Sequence, residues 1–349
     1  MSLYQISFLK KANYHIVNET VEYAKFKHGV HVANFINAVL RKFIRERSSF
    51  EIAAESQYSG LRSPKLAIAN SFPQWLVERW LKRLGHDETV KLLAVMNKPP
   101  EFTIRVNLDR ISQGETIRRL AEKGIEAKKG QLLESALSVD KLSLVLKDGL
   151  FTQGLIHIQD EASQLAGASI IAGKGDLILD ACAGLGTKTE QMKERLSGPT
   201  IISMDNEIRR LRMMPDTINL VGGDAGNSPF KEQVFNTILL DAPCSSLGII
   251  RKHPEIKWRR KEKDIIRFGE YQFGLLKSLW KNLKPGGHLV YSVCSFEPEE
   301  TISVIERFQR EERFTLENPL PFLFNKEWFL SLPHDTGMDG FFIAKLKKI

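Results

Sequence analysis

The chain has 349 residues, 42% hydrophobic and 26% charged, the balance of a globular protein large enough for two or three cores. Lys and Arg outnumber Asp and Glu by 50 to 42, a net charge of +8 with a sequence pI near 9.2, which favours a polyanionic partner. No apolar run approaches the roughly 18 residues of a membrane span, and no charged-then-apolar leader opens the chain. Three scattered cysteines, Cys182, Cys244 and Cys294, exclude a disulfide framework and a four-ligand zinc site. A cytoplasmic protein without a metal or a membrane partner is expected.

In chain order, "HVANFINAVLRKFIRER" places Val32, Phe35, Ile36, Val39, Leu40, Phe43 and Ile44 at helical spacing, with basic residues on the other face. A further helix is predicted in "SFPQWLVERWLKRLG", started by Ser71 and Pro73 and stopped by Gly85. "DETVKLLAVMNK" continues helical until Pro99 and Pro100 break the pattern. Residues 1–98 therefore read as a helical domain ending in a proline linker. Over residues 99–160, "FTIRVNLD" reads as a strand, "GETIRRLAEKG" as a helix and "LSLVLKDG" as a strand, a small α+β unit. Its Arg105 is a candidate phosphate contact, or else a solvated strand-edge charge.

From residue 161 to 349 the alternation is regular. "DLILDACAG", "TIISMDN", "NLVGGD", "NTILLDAPC" and "HLVYSVC" are short apolar runs, each ending in a polar or glycine-rich turn. They predict an α/β domain with a doubly wound, mainly parallel sheet, whose ligands sit beyond the carboxyl ends of the strands. The acids and all three cysteines fall there.

"DACAGLGTKT" follows the first of these strands, with Gly184 and Gly186 opening a helix. It lacks the spacing of a phosphate-cradling loop, because Thr187 precedes Lys188, and Thr189 stands where the dinucleotide fingerprint needs a small residue. An acid before the loop, Asp180, is followed by Asp205 at the next strand end, where a carboxylate can take ribose hydroxyls. Asp224 ends the following strand and could accept from an adenine amino group. Three strand-end acids without a phosphate loop point to S-adenosylmethionine. Each acid alone could equally be a cap or turn residue.

Cys244 and Cys294 follow two strands that should be neighbours. A thiolate adds to electron-poor carbon when an electropositive pocket lowers its pKa. "RKHPEIKWRRKEK" supplies such charge directly after Cys244 and offers Trp258 for stacking on a base.

Asp-Ala-Pro-Cys-Ser at 241–245, the following "IIRKHPEIKW" and "LVYSVCSFEPEE" at 289–300 resemble motifs of the RNA 5-methylcytosine methyltransferases of the Nol1/Nop2/Sun group, in particular its ribosomal small-subunit methyltransferase B (Sun) branch. "VNETVEYAK" and "FINAVLRKF" resemble its NusB-like helical domain, entered midway, "FTIRVN" its small RNA-binding unit, and "DGFFIAKL" its last strand. The resemblance implies a Rossmann-like methyltransferase domain behind a small α+β RNA-binding unit. It implies Cys294 as the nucleophile at cytosine C6, Asp241 as the residue holding or protonating N3, and Cys244 as the helper that releases the adduct. S-adenosylmethionine would bind at Cys182, Ala183, Gly184, Leu185, Gly186, Thr187 and Lys188 with Asp205, Asp224 and Asp241. RNA, with the small-subunit ribosomal species expected, would meet Arg105, Arg251, Lys252, His253, Lys257, Trp258, Arg259 and Arg260, and the chain is expected to act as a monomer.

The chain departs from the resembled pattern in its loop, "CAGLGTKT" where "CAAPGGKT" is usual, in Val293 where threonine is usual, and in a shortened segment between Asp205 and Asp224. Two other readings stay open on these residues: an RNA-binding assembly protein that has lost catalysis, and an amino-group methyltransferase that needs no thiol.

Overall fold

The computed structural model describes residues 1–9, 12–55, 63–215 and 219–349, over 47–55 in backbone only. They form two compact units, Met1–Val77 and Glu78–Ile349. No helix among the described residues is long and apolar enough to cross a membrane.

The first unit holds the helices Ser2–Phe8, Asn13–His28, Val30–Glu55 and Ser63–Ala69. Ile6, Ile16, Val17 and Leu40 form a core against which Ile36, Phe43 and Ile44 pack. Val32, Phe35 and Val39, expected on the same apolar face, are exposed. The seven-residue stripe is wider than the face its neighbouring helices cover, so only its centre turns inward.

The second unit opens with two consecutive helices: Gln74–Leu84, which begins in the first unit, and His86–Met96, joined through Gly85 at φ +79°. A four-stranded antiparallel sheet follows, from β1 (Phe102–Val106), β2 (Ala127–Lys129), β3 (Ala136–Val139) and β4 (Ile156–Ile158) in the order β2-β3-β1-β4. Ile104, Leu137 and Ile156 meet Leu120 of the helix Gln113–Glu122 in its core. The strand expected in "LSLVLKDG" is instead the short helix Leu142–Val145, and the strand lies just before it in β3. Val145 is buried while Leu144 and Leu146 are 44% exposed; so short an apolar run fits either period.

The second sheet has eight strands: β5 (Leu177–Asp180), β6 (Thr200–Asp205), β7 (Asn219–Gly222), β8 (Phe235–Asp241), β9 (Leu283–Val293), β10 (Phe314–Glu317), β11 (Trp328–Ser331) and β12 (Phe341–Lys348). Their order is β10-β12-β9-β8-β5-β6-β7, with β11 paired to β12. β5 to β9 run parallel, and β10, β11 and β9 pair antiparallel with β12. Ile178, Ile238, Leu239, Leu240 and Val290 are fully buried, because helices cover both faces of the central strands. From β5 the chain steps outward through β6 and β7, then crosses back to β8. The strand order therefore reverses between β5 and β8, and such a switch point opens a crevice at the carboxyl ends.

Candidate active site

The loop after β5 is set by two glycines. Gly184 (φ +58°) and Gly186 (φ +83°) occupy the left-handed region, and a Cβ on Gly186 would stand 2.3 Å from Met214 Cε. Gly186 then caps the helix Thr187–Arg195. Behind it, buried Asp180 accepts the Thr189 hydroxyl at 2.7 Å; burial, reinforced by Asp241 and Asp205, pushes its carboxyl up to about 7. Asp180 thus anchors the helix start. Asp205 accepts the Gly184 N–H at 2.9 Å on one oxygen and the Glu207 N–H at 2.8 Å on the other. Asp224 closes a turn by accepting the Gly226 N–H at 2.8 Å.

At the end of β8, Asp241 takes the Lys188 ammonium at 2.5 Å and the Ser292 hydroxyl at 2.7 Å. The two thiols beyond it, on neighbouring parallel strands, lie 3.1 Å apart, Cys244 Sγ to Cys294 Sγ. Ser246, held at φ +62°, brings its hydroxyl within 3.6 Å of Cys294 Sγ and 3.9 Å of Cys244 Sγ. The two loops also cross at a glycine: Gly248 donates to the Cys294 carbonyl at 3.1 Å, and its Cβ would lie 1.9 Å from the Gly340 carbonyl oxygen. The hydrogen bond to Cys294, together with burial, pushes the Cys244 thiol well up.

Two cavities meet at this point. One, of about 210 Å³, is walled by Asp205, Asp224, Ala242, Cys244 and Tyr271. The other, of about 600 Å³, runs past Thr103, Gln159, Lys188, His253 and Phe341. Cys182, Asp241 and Cys294 line both.

Residues 170–347 match the family model described as 16S rRNA methyltransferase RsmB/F. The chain belongs to the RsmB/F (Sun) family of S-adenosylmethionine-dependent methyltransferases. Residues 72–145 match the ferredoxin-like domain of RsmF/B-like methyltransferases, and residues 1–45 the NusB family. The chain is 31% identical to the probable ribosomal RNA small subunit methyltransferase B of Bacillus subtilis, over 100% of this chain and 81% of that protein. It is 32% identical to the ribosomal RNA small subunit methyltransferase B of Vibrio cholerae, over 100% and 80%. The crystal structure of PH0851 superposes with TM-score 0.80 and 26% identity, over 99% of this chain and 80% of that one. NSun6 from Pyrococcus horikoshii, solved with SFG, shares the fold at TM-score 0.72 and 22% identity, over 80% and 99%.

The smaller cavity suits the RsmB/F cofactor. Among the described residues lining it, Arg210 is the cation, and it is paired with Glu207 at 3.0 Å. Asp205, Asp224 and Asp241 face inward, so the cavity is acidic, as a sulfonium requires. Each Asp205 oxygen, having taken one backbone N–H, keeps a lone pair for a ribose hydroxyl. Burial, with these acids, holds the Cys182 thiol far above its usual range, which makes Cys182 a neutral wall. Of the family loop, Ala183, Gly184, Leu185, Thr187 and Lys188 line the larger cavity, while Gly186 lines neither cavity.

The basic residues divide. Arg105, a candidate phosphate contact in the sequence, is 2% exposed, donates to Gln159 and the Thr187 carbonyl, and pairs with Glu194 at 3.0 Å. Its charge is consumed inside the fold, which removes it from the phosphate contacts. Lys252 is shared between Asp160 and Asp339, each at 2.6 Å. Lys257, 6% exposed, donates to Asn97 at 2.8 Å; neither lysine is free for phosphate. Arg251 donates to the Gly337 carbonyl at 2.9 Å, and Arg260 to the Ser245 carbonyl at 2.8 Å while stacking over Phe268. His253, Arg259 and Trp258, the last 64% exposed, remain at the surface.

Three further features shape the site. Tyr271, on the helix Glu262–Asn282, walls the smaller cavity, and burial there, with Asp224 and Asp205 nearby, raises its phenol. Glu297, fully buried, takes Arg79 at 2.5 Å, Trp80 Nε1 at 2.8 Å and Arg83 at 2.9 Å, anchoring the loop after Cys294. Val293, standing where threonine is usual, is fully buried opposite Phe342 of β12, so a methyl occupies the place of a hydroxyl.

Proposed function

We propose that this RsmB/F protein methylates C5 of a cytosine in small-subunit ribosomal RNA through a transient bond between Cys294 and C6 of the base. The observation that carries the reading is the meeting of two cavities at Asp241 and Cys294: an acidic one fitted to the cofactor, and a larger one beside the small antiparallel sheet. The names of the relatives supply the RNA.

Cys294, reacting as the thiolate, adds to C6, and the displaced electron pair makes C5 nucleophilic. Asp241, 2.5 Å from the Lys188 ammonium and fixed by Ser292, relays a proton from Lys188 to N3 as negative charge develops there. The bound S-adenosylmethionine, held by Asp205 and Asp224, supplies the electrophilic methyl group for C5. Afterwards the C5 proton passes to water, the N3 proton returns through Asp241 to Lys188, and the C6–S bond breaks. The Cys244 S–H, 3.1 Å away, donates to the departing Cys294 thiolate, which leaves as it entered. His253, Trp258 and Arg259 meet the flanking RNA, Trp258 by stacking.

Incubation with methyl-labelled S-adenosylmethionine and unmodified small-subunit ribosomal RNA tests the reaction. Label is expected at C5 of cytosine, with Cys294→Ala slower by about 10³-fold or more. Label on an exocyclic amine, or undiminished transfer by Cys294→Ala, contradicts it.

A further inference from the structure

Glu300 touches neither cavity, yet it joins the two cysteine loops. It is a fully buried carboxylate. It accepts the Ser245 N–H at 2.6 Å and the Ser245 hydroxyl at 2.5 Å, the Ser295 hydroxyl at 2.7 Å and the Gln272 side-chain amide at 3.3 Å. Ser245 immediately follows Cys244, and Ser295 immediately follows Cys294. One carboxylate therefore spans the chain just beyond both thiols.

The scaffold around it is closed. Gln272 also donates to the Pro243 carbonyl at 2.9 Å, and the Tyr291 hydroxyl lies 2.6 Å from the Glu300 carbonyl and 3.0 Å from Gln272 Oε1. Pro243, Cys244 and Ser245 are thus tied to the same group as Ser295. Among the described residues no Lys, Arg or His pairs with the Glu300 carboxylate, so neutral donors alone hold it. Burying a carboxylate without a counter-ion is costly, and burial raises its carboxyl against the pull of the four donors. A structural tie could be made with an amide at lower cost.

A buried negative charge disfavours a second one beside it. Cys244 is the thiol that feels Glu300: the hydrogen bond it gives to Cys294, burial and the Glu300 charge all push it up. Cys294, half-buried, lines both cavities, and of the two thiols it alone reaches the larger one.

We propose that Glu300 is a positioning residue that sets the two cysteine loops in register, so that Cys294 serves as nucleophile and Cys244 as its hydrogen-bond donor. The roles named rest on the cytosine-methylation reading; the ordering of the two thiols does not. Its measure is the ratio of Cys244 to Cys294 alkylation by iodoacetamide in the full chain without RNA, resolved by mass spectrometry. Glu300→Gln keeps the volume and loses the charge; Glu300→Asp keeps the charge.

In Glu300→Gln the ratio is expected to rise about tenfold, the effect of one unit in thiol pKa, and kcat to fall with KM for RNA little changed. Glu300→Asp restores the preference for Cys294. A cooperatively melting Glu300→Gln with the wild-type ratio overturns the proposal. Should that variant not fold, Ser295→Ala, which removes one donor, carries the test: a raised ratio supports the proposal and an unchanged one overturns it. A shifted ratio in a protein that places no methyl on cytosine C5 refutes the reaction and leaves the clamp standing. An unshifted ratio with C5 methylation intact refutes the clamp alone.

Discussion

The loop after β8 and the loop after β9 each carry a cysteine past the end of a parallel strand, but they present it differently. Cys244 is 8% exposed and is followed by fully buried Ser245, which Glu300 holds. Cys294 lines both cavities, and the chain beyond it is drawn back by Glu297 onto Arg79, Trp80 and Arg83. Two thiols 3.1 Å apart therefore sit in unlike surroundings, Cys244 lining the smaller cavity alone and Cys294 lining both. A strand end marks where chemistry can happen; the charges and anchors beneath it decide which atom performs it.

Asp241→Asn should break this contrast most severely. It keeps the shape of the site but removes the carboxylate proposed to carry the proton between Lys188 and the base, so the rate of methyl transfer should fall about 10²- to 10³-fold in single-turnover assays. Asp205→Ala acts away from both loops and sharpens the comparison. It should weaken S-adenosylmethionine binding about tenfold or more by calorimetry, the loss of hydrogen bonds to a charged group, and leave the alkylation ratio unchanged.

Trp258→Ala lies on the exposed side of the β8 loop. It should weaken RNA binding about tenfold through the loss of one stacking contact, read by filter binding, without altering cofactor affinity.

The smallest effect is on stability. Burial opposes the charge on His157, but Glu190 and Glu194, 3.2 and 2.8 Å from its ring nitrogens, win and raise it to about 9. The folded value lies above the unfolded one, so this stabilisation is complete below about pH 6.5 and fades as pH rises through about 9, at most about 3 kcal/mol. Urea denaturation at pH 6 and pH 10 should show a wild-type loss that His157→Gln lacks. An equal loss in both would remove His157 as its source.

Much of the α/β domain is legible in the sequence because each central strand is a continuous apolar run ending in an acid or a cysteine, a pattern that burial on both faces enforces. The strand-end acids and both reactive-looking thiols follow from the same rule. Charge is harder to read. Lys252 and Lys257 stand in a run that looks like a nucleic-acid surface, but their partners Asp160, Asp339 and Asn97 are 92, 87 and 160 residues away along the chain, and only the fold brings them together. Arg105 is spent on Glu194 in the same way. Glu300 lies inside the segment "SFEPEE" at 295–300, beside Glu297 and Glu299, and three nearby acids do not announce that two of them are fully buried. Tyr271 belongs to an amphipathic helix, where one aromatic facing a cavity looks like any other core residue. "LSLVLKDG" fails for a simpler reason, since four apolar residues in five satisfy helix and strand alike.

The division of labour between the two loops is tested most directly by trapping the intermediate. Cys244→Ala, incubated with small-subunit ribosomal RNA and S-adenosylmethionine, should accumulate a covalent protein–RNA adduct, and peptide mapping should place the linkage on Cys294. An adduct attached through any other residue, or normal turnover with no adduct, would contradict the account.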